Sequence, residues 1–269
     1  MRDRIDLHCH TDYSDGELSP AQAAETALQA GLRALAITDH DTMEGFLTLG
    51  PVPGLELVPG IERKADWEGV ELHILGYDGD WEALRRFPQV EREREERNAA
   101  MVEKLRSAGV DISLEELKAR KKGVVGRPHI AELLVEKGYF SSVRQAFDEW
   151  LSEGKPYYVP IARETVPEVA SQLRASGAKV VLAHPLQYKL SEAGLRELVE
   201  LCAESGFHGM EVYYSGYTPA QSSDLAALAD EFGLCLTGGS DFHGAKRPER
   251  VLGGVDVPYS LLEKLREKE

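Results

Sequence analysis

The sequence has few cysteines and no long apolar run. Its three cysteines, Cys9, Cys202 and Cys235, form no Cys-x-x-Cys pair, so a disulfide framework is not expected and a reducing compartment is indicated. No stretch approaches the roughly 20 apolar residues that a membrane-spanning helix requires. Residues 1–7 also lack the apolar region of a signal peptide. These absences predict a cytoplasmic protein that does not enter a membrane.

Basic residues are scarce relative to acidic ones. The 269-residue chain has 31 Lys and Arg against 46 Asp and Glu, a net charge of −15. A protein that grips long nucleic acid without regard to sequence needs a basic surface, so that class is excluded. A small anionic substrate is not excluded, because bound metal ions can supply positive charge locally.

Short aliphatic runs alternate with helical patterns along most of the chain, which indicates a barrel-like α/β core. Seven strands are predicted, at residues 5–7, 32–38, 55–61, 70–77, 179–183, 209–213 and 234–237. The alternation stops between residues 81 and 160, where the pattern is mainly helical. We therefore expect residues 1–80 and 161–269 to form a barrel that carries a metal site. Residues 81–160 are expected to form a helical insertion that binds substrate.

The first predicted strand ends in His8-Cys9-His10. In an extended chain alternate side chains face the same way, so both imidazoles point to one side and Cys9 points to the other. Two neutral imidazoles on one face suit a transition metal. Cys9 is therefore a poor ligand candidate despite its neighbours.

Other residues of metal-binding type recur along the later strands. They are Asp39, His40 and Asp41 after the second strand, Glu62 at the end of the third, His73 within the fourth, His184 after the fifth, and Asp241 and His243 after the seventh. Together with His8 and His10, this set includes six of the eight histidines. Barrel enzymes place their sites at the carboxyl ends of the strands. The sequence therefore predicts a metal site at that end.

These motifs resemble those of the polymerase and histidinol phosphatase (PHP) superfamily. The matching segments are His8-x-His10, Ser14-Asp15-Gly16, Thr38-Asp39-His40-Asp41, Ala183-His184-Pro185 and Gly239-Ser240-Asp241-Phe242-His243. The resemblance covers essentially the whole chain. It is nearest to the bacterial PHP phosphoesterases that act on nucleoside 3′,5′-bisphosphates and on the 5′ ends of short RNA. It implies a distorted (β/α)7 barrel with a helical insertion and three metal ions.

The resemblance also implies which residues bind the ions. Carried over by position, the first set is His8, His10, Glu62 and Asp241, the second is Asp15, His40 and His243, and the third is Glu62, His73 and His184. Asp15 stands where some relatives carry His, and its harder oxygen ligand favours Mn or Fe at that site. The three divalent ions are predicted to be Mn, Fe or Zn.

The predicted reaction is the hydrolysis of a phosphate ester. A water shared by two ions about 3.5–4 Å apart becomes a hydroxide near neutral pH and attacks phosphorus in line, and the ions polarise the phosphoryl oxygens. The catalytic candidates are Asp39, His40, Glu62, His184 and Asp241. Either a metal-bound water or an acidic residue such as Asp39 would protonate the leaving oxygen.

Substrate contacts are expected from the insertion. Arg127 and His129 stand at a predicted helix start, where a guanidinium and backbone amides suit a second phosphate. From the local sequence alone, a surface arginine beside a helix-starting Pro128 is an equal alternative, and the resemblance favours the substrate role. Where relatives often continue the His-Pro motif with Gly-Arg, this chain has Leu186-Gln187, which favours a substrate with fewer phosphates.

Three functions remain open at this point. The leading hypothesis is an enzyme that hydrolyses nucleotides or short oligonucleotide ends. A histidinol-phosphate phosphatase would share the metal chemistry, but the helical insertion and Asp15 speak against it. A non-catalytic PHP interaction module would be expected to lose ligands, whereas the set here is intact. The sequence does not predict the oligomeric state.

Overall fold

Two compact units make up the chain. The computed structural model describes residues 3–84, 89–119, 125–160 and 164–269. One unit comprises residues 1–86 and 163–269, and the other comprises residues 87–162. None of the described helices is long and apolar enough to cross a membrane.

The first unit is built on an eight-stranded sheet that nearly closes into a barrel. Its strands are β1 (Arg4–Asp6), β2 (Ala34–Ile37), β3 (Glu56–Trp67), β4 (Val70–Tyr77), β5 (Lys179–Leu182), β6 (Gly209–Tyr214), β7 (Cys235–Gly239) and β8 (Val257–Pro258). They lie in the order β7-β6-β5-β4-β3-β2-β1-β8. The barrel-like α/β fold predicted from the sequence is confirmed. The short β8, antiparallel to β1, was not predicted, because a two-residue strand leaves no periodic pattern.

Strand β4 distorts the barrel. It runs antiparallel to both β3 and β5, whereas the pairs β1–β2, β2–β3, β5–β6 and β6–β7 are parallel. A tight turn at Glu68-Gly69, with φ of 51° and 83°, joins β3 to β4 directly, and such left-handed pairs match the twist of a two-stranded hairpin. The expectation that Glu62 ends the third strand is therefore wrong. Glu62 pairs with Leu75 in the middle of β3.

Backbone hydrogen bonds join the carboxyl end of β1 to the carboxyl end of β7. Leu7 N donates to Gly238 O at 3.3 Å, Asp241 N donates to His8 O at 2.8 Å, and His10 N donates to Phe242 O at 2.9 Å. Gly239 permits this approach, since a Cβ there would lie 2.5 Å from the His8 backbone nitrogen. The segments that carry the two predicted ligand pairs are thus hydrogen-bonded to each other.

Helices surround the barrel and follow the capping signals of the sequence. They are α1 (Pro20–Gln29), α2 (Glu44–Leu47), α3 (Trp81–Leu84), α8 (Val166–Ala175), α9 (Glu192–Glu204), α10 (Pro219–Glu231) and α11 (Tyr259–Glu267). Helix α1 starts after Ser19, and Ser19 and Gln22 form a reciprocal capping box. A buried cluster that includes Ile5, Leu75 and Val181 packs with Leu262 of α11.

In its described residues, the second unit contains helices joined by turns and loops, and no strand. It contains α4 (Gln89–Ser107), α5 (Leu114–Ala119), α6 (Arg127–Glu136) and α7 (Val143–Ala146), which continues as a wider π-helical turn over Phe147–Leu151. Its own core is formed by buried residues such as Met101, Leu105, Ile130 and Leu134.

Candidate metal centre

His8 and His10 face the inside of the barrel. The two Nε2 atoms are 3.2 Å apart, and both side chains are fully buried. Cys9 points the opposite way, into the apolar layer beneath α1 with Ala23 and Leu35. The alternation predicted for this strand is therefore what the structure shows.

The first predicted ligand set comes together around these imidazoles. His8 Nε2 lies 3.2 Å from Glu62 Oε1 and 3.4 Å from Asp241 Oδ1. His10 Nε2 lies 3.2 Å from Glu62 Oε2 and 3.3 Å from the same Asp241 oxygen. The four side chains thus present two nitrogens and three oxygens to one small volume.

The second set lies on the other side of His10. Asp15 is carried by the loop after β1, and its Oδ1 is 3.3 Å from His243 Nε2, while its Oδ2 is 3.7 Å from His40 Nε2. His10 Nδ1 is 3.7 Å from Asp15 Oδ1. Ligand atoms of His10, Asp15, His40 and His243 all lie within 4.8 Å of one another.

The third set is centred on Glu62. Its Oε1 lies 3.0 Å from His73 Nδ1 and 3.3 Å from His184 Nε2, and those two nitrogens are 3.2 Å apart. Because β4 runs antiparallel beside β3, His73 reaches this point from the middle of its strand. Glu62 therefore touches members of every set, as a bridging ligand would.

Hydrogen bonding alone does not satisfy this cluster. His40 Nδ1 and Glu62 Oε2 approach to 2.8 Å, yet both are buried atoms without a hydrogen-bond partner, and so is Asp15 Oδ1. Buried polar atoms are normally paired. A set of six imidazoles and three carboxylates that leaves such atoms unpaired fits divalent transition ions, which those ligand types favour.

Electrostatics in the cluster keep its carboxylates ionised. Burial raises the pKa of Glu62, but the charges of His73, His40 and His8 outweigh it and hold that pKa well below its ordinary value. Burial likewise raises the pKa of Asp241, and His8, His10 and His243 lower it well below normal. Burial lowers the pKa of His40 to about 4 in spite of neighbouring carboxylates. Anionic oxygens and neutral imidazoles are the forms that bind metal ions. In spite of burial, neighbouring carboxylates raise the pKa of His8 and of His10, so these two imidazoles would release a proton on binding an ion.

Solvent reaches the cluster at one edge. The side chains of Asp15, His40 and His73 are 26%, 13% and 20% exposed, whereas those of His8 and His10 are completely buried. A substrate from solution would therefore meet the cluster at this edge first.

Glu211 is a site residue that the sequence reasoning missed. Fully buried on β6, it places both carboxylate oxygens 3.1 Å from His8 Nδ1, and its Oε2 also accepts from His184 N at 2.8 Å. A carboxylate at Nδ1 keeps the proton there and turns the Nε2 lone pair toward the cluster. In the sequence, the one feature that could have indicated its role is the presence of an acidic residue within the otherwise apolar segment 209–214.

Tyr214 and Arg250 were also missed, and both contact Asp241. The Tyr214 hydroxyl donates to Asp241 Oδ2 at 2.6 Å, and Arg250 Nη1 donates to the same oxygen. A bulge between Glu211 and Tyr213 shifts the register of β6, and such bulges re-aim side chains. Glu211 and Tyr214 consequently both reach ligands of the cluster.

The backbone is left-handed at two of the ligands. His184 has a φ of 26° and Asp241 a φ of 53°, in a region that L-residues other than Asn and Asp rarely adopt. At Asp241 the turn lets the backbone carbonyl accept from His243 Nδ1 at 2.8 Å. This hydrogen bond directs His243 Nε2 toward Asp15.

Asp39 has different surroundings from the other catalytic candidates. It is fully buried, and its Oδ1 accepts from Thr11 N at 2.7 Å and from Ser14 Oγ at 2.6 Å. Its Oδ2 accepts from Thr11 Oγ1 at 2.6 Å. The carboxylate therefore fixes the loop that carries Asp15.

Arg127 and His129 lie in the helical unit, at the predicted start of α6. Gly126 N donates to His129 Nδ1 at 2.8 Å, which satisfies one amide of the helix end. The Arg127 guanidinium carbon lies 5.5 Å from the ring centre of Tyr158 and 6.0 Å from that of Phe147. These two residues belong to a different unit from the nine clustered side chains.

Comparison with known proteins gives consistent results. A family model described as PHP domain matches residues 6–243. A 5'-3' exoribonuclease of Haemophilus influenzae is 35% identical over 249 residues, which cover 90% of this chain and 91% of that protein. A 3',5'-nucleoside bisphosphate phosphatase of Chromobacterium violaceum is 29% identical and is matched over 94% of this chain and 92% of its own length. A candidate metal-dependent phosphoesterase of Bifidobacterium adolescentis superposes with a TM-score of 0.80 at 32% identity, over 97% of this chain and 94% of that one.

Proposed function

The chain belongs to the PHP domain family, and from that premise we propose that it is a metal-dependent phosphoesterase that hydrolyses phosphate esters of nucleotides. The family resemblance drawn from the motifs is thereby confirmed. The similar proteins are a 5'-3' exoribonuclease and a nucleoside bisphosphate phosphatase, so the substrates proposed are a nucleoside 3′,5′-bisphosphate, from which the 3′-phosphate is released, and the 5′ ends of short oligoribonucleotides.

One observation carries the proposal: nine predicted ligands from distant parts of the chain form one cluster, with Glu62 and eight others around it. They are His8, His10, Asp15, His40, Glu62, His73, His184, Asp241 and His243. We propose that they hold three divalent ions, with Mn, Fe and Zn as the candidates. When bound, such ions supply an acidified water and a positive charge that polarises the phosphoryl oxygens.

The residues of the chain have separate tasks in this proposal. Glu62 bridges the ion sites, and its low pKa keeps it available as an anion over the physiological range. Glu211 and the Asp241 carbonyl orient the His8 and His243 rings. Asp15, His40 and His73 form the solvent-reaching edge where the phosphate enters. Asp39 remains a candidate proton donor from the sequence, although its hydrogen bonds indicate that it positions the loop of Asp15.

Substrate selection is assigned to the insertion. Arg127 and His129 at the start of α6 are the proposed contacts for a second phosphate, since a guanidinium and a helix N-terminus both favour anions. The exposed, uncharged Gln187 adds no positive charge after the His-Pro motif.

The histidinol-phosphate alternative is not favoured. Similar proteins with names that state a substrate act on RNA, nucleoside bisphosphates or a phosphoribosyl cyclic phosphate. The non-catalytic alternative is not favoured either, because all nine ligands are present and adjacent.

Metal analysis and phosphate release test the proposal together. Purified protein would be analysed for Mn, Fe and Zn, then assayed with adenosine 3′,5′-bisphosphate, 5′-phosphorylated short RNA and histidinol phosphate. We expect bound metal and phosphate release from a nucleotide substrate in wild type. In His40→Ala we expect less bound metal, because one of the three sets loses a ligand, and loss of phosphate release. The control is His208→Gln, which changes a histidine of the same unit outside the cluster. Protein that binds none of these metals and hydrolyses none of the substrates would refute the function.

A further inference from the structure

Arg250 stands out among the basic side chains of the barrel unit. In the described part of the chain, it is the one Arg or Lys that forms an ion pair with any of the nine clustered ligands. It lies in the loop between β7 and β8 and contacts Asp241 Oδ2, whereas His8 and His10 lie near Asp241 Oδ1. Its side chain is 12% exposed, so it borders solvent while being largely enclosed.

The contact with Asp241 uses a small part of the guanidinium. Asp241 Oδ2 receives Arg250 Nη1 and the Tyr214 hydroxyl, while Oδ1 faces the imidazoles of His8 and His10. The pairing is therefore end-on to a single oxygen. A bidentate pair would engage two of the guanidinium nitrogens, whereas this contact engages one.

The rest of the guanidinium is available to a ligand. Arg250 makes no other ion pair or side-chain hydrogen bond with the described residues, although a guanidinium carries five N–H donors in a rigid fork. Its central carbon lies 5.5 Å from the Tyr214 ring centre, which holds the group against an aromatic face. That ring lies 5.5 Å from the His184 ring, so the guanidinium is anchored beside the cluster.

We propose that Arg250 binds the phosphoryl group of the substrate, with one nitrogen on Asp241 and the remaining edge of the guanidinium on a phosphoryl oxygen. The inference rests on the proposed function and assigns one of its substrate-binding residues. A planar fork of donors matches the oxygens of a phosphate. Arg250 would then connect the Asp241 carboxylate, a proposed metal ligand, to the phosphoryl group that the bound ions would polarise.

Phosphate binding by the metal-loaded protein tests the inference without requiring turnover. Inorganic phosphate would be titrated calorimetrically into manganese-loaded wild type, Arg250→Met, Arg250→Lys and Arg247→Met, with metal content measured for each. Arg247 is an exposed arginine of the same loop and controls for the loss of one charge. Loss of a hydrogen bond to a charged group predicts an increase in Kd of about 10- to 100-fold for Arg250→Met. Arg250→Lys should raise the Kd for phosphate by a smaller factor, and Arg247→Met should have the same Kd as wild type.

Two results would overturn the assignment. The first is a phosphate Kd for Arg250→Met that equals that of wild type. The second is a loss of bound manganese in Arg250→Met with unchanged phosphate affinity per loaded centre, which would mean that Arg250 only holds Asp241. If Arg250→Met fails to fold, the same comparison is made with Arg250→Lys, because lysine keeps the positive charge but lacks the planar set of N–H donors. Failure of the wild type to bind metal or release phosphate would instead refute the proposed function.

Discussion

Glu211→Gln is the most informative single substitution, because it removes a charge and keeps the shape of a fully buried side chain. Oε2 of Glu211 accepts from both His8 Nδ1 and His184 N, whereas Oε1 lies near His8 Nδ1 alone. A glutamine with its carbonyl oxygen at the Oε2 position keeps both hydrogen bonds. Its amide nitrogen then faces His8 Nδ1 about 3 Å away, with no bond between them. The variant should therefore fold, and the effect of the substitution should be weaker metal binding through His8.

The expected magnitude follows from the proposed role of His8 as a metal ligand. The ionised carboxylate stabilises the N–H at Nδ1 and makes Nε2 a stronger donor toward a metal. A charge-assisted hydrogen bond is about twice as strong as a neutral one. Removing such an outer partner weakens metal binding by about 10- to 100-fold, or about 1.4–2.8 kcal/mol. We expect one metal site to weaken by that factor in Glu211→Gln.

Competition with a chelator measures this effect. Metal-free wild type, Glu211→Gln and Glu263→Gln would each be titrated with Mn²⁺ or Zn²⁺ against a chelator of known affinity, and thermal unfolding would confirm that each is folded. Glu263 is an exposed residue of α11, so its substitution makes the same charge change far from the cluster. If Glu211→Gln binds every ion as tightly as Glu263→Gln does, the carboxylate does not tune His8 and the reasoning fails.

Three further substitutions test other parts of the molecule. Arg127→Ala should raise KM for a nucleoside bisphosphate while leaving metal content unchanged, and an unchanged KM would remove it from the substrate site. Gly239→Ala would place a methyl group 2.5 Å from the His8 backbone nitrogen, so thermal unfolding should show a loss of about 1–3 kcal/mol. Burial, then Lys179 and other cations, lower the pKa of His208 to about 4 from its ordinary 6.5. As the pH falls, His208 is therefore protonated in the unfolded chain at a higher pH than in the folded protein. The free energy of unfolding should consequently fall as the pH drops from about 6.5 to 4. His208→Gln should flatten that fall, and an unchanged pH profile would contradict the assignment.

Much of the centre could be read from the sequence because each ligand sits in a local pattern. His8 and His10 follow from strand alternation alone, and His40 and His184 each stand shortly after an aliphatic run. The direction of β4 could not be read in this way. A strand has the same period in either direction, so the hairpin depends on the turn at Glu68-Gly69, which the strand patterns did not reveal.

The residues that surround the ligands were harder to find. Glu211 is one acidic residue within β6, and nothing in its neighbourhood indicates that His8 lies opposite. Arg250 reaches Asp241 from a loop without periodic pattern, nine residues further along the chain. Tyr214 faces the cluster because of a bulge, whereas strict alternation from Glu211 selects Tyr213. Contacts of this kind arise from the folded arrangement and have no signature in the order of residues.

The left-handed backbone at His184 has a consequence for attempts to make this protein more stable. A histidine in that conformation costs on the order of 1–2 kcal/mol, and glycine adopts it without that penalty. Selection for thermal stability alone would therefore favour glycine at a position where the proposed metal centre requires an imidazole. Stability and activity would be opposed at this residue, so a heat-selected library of variants should be screened for metal binding before its survivors are taken as improvements.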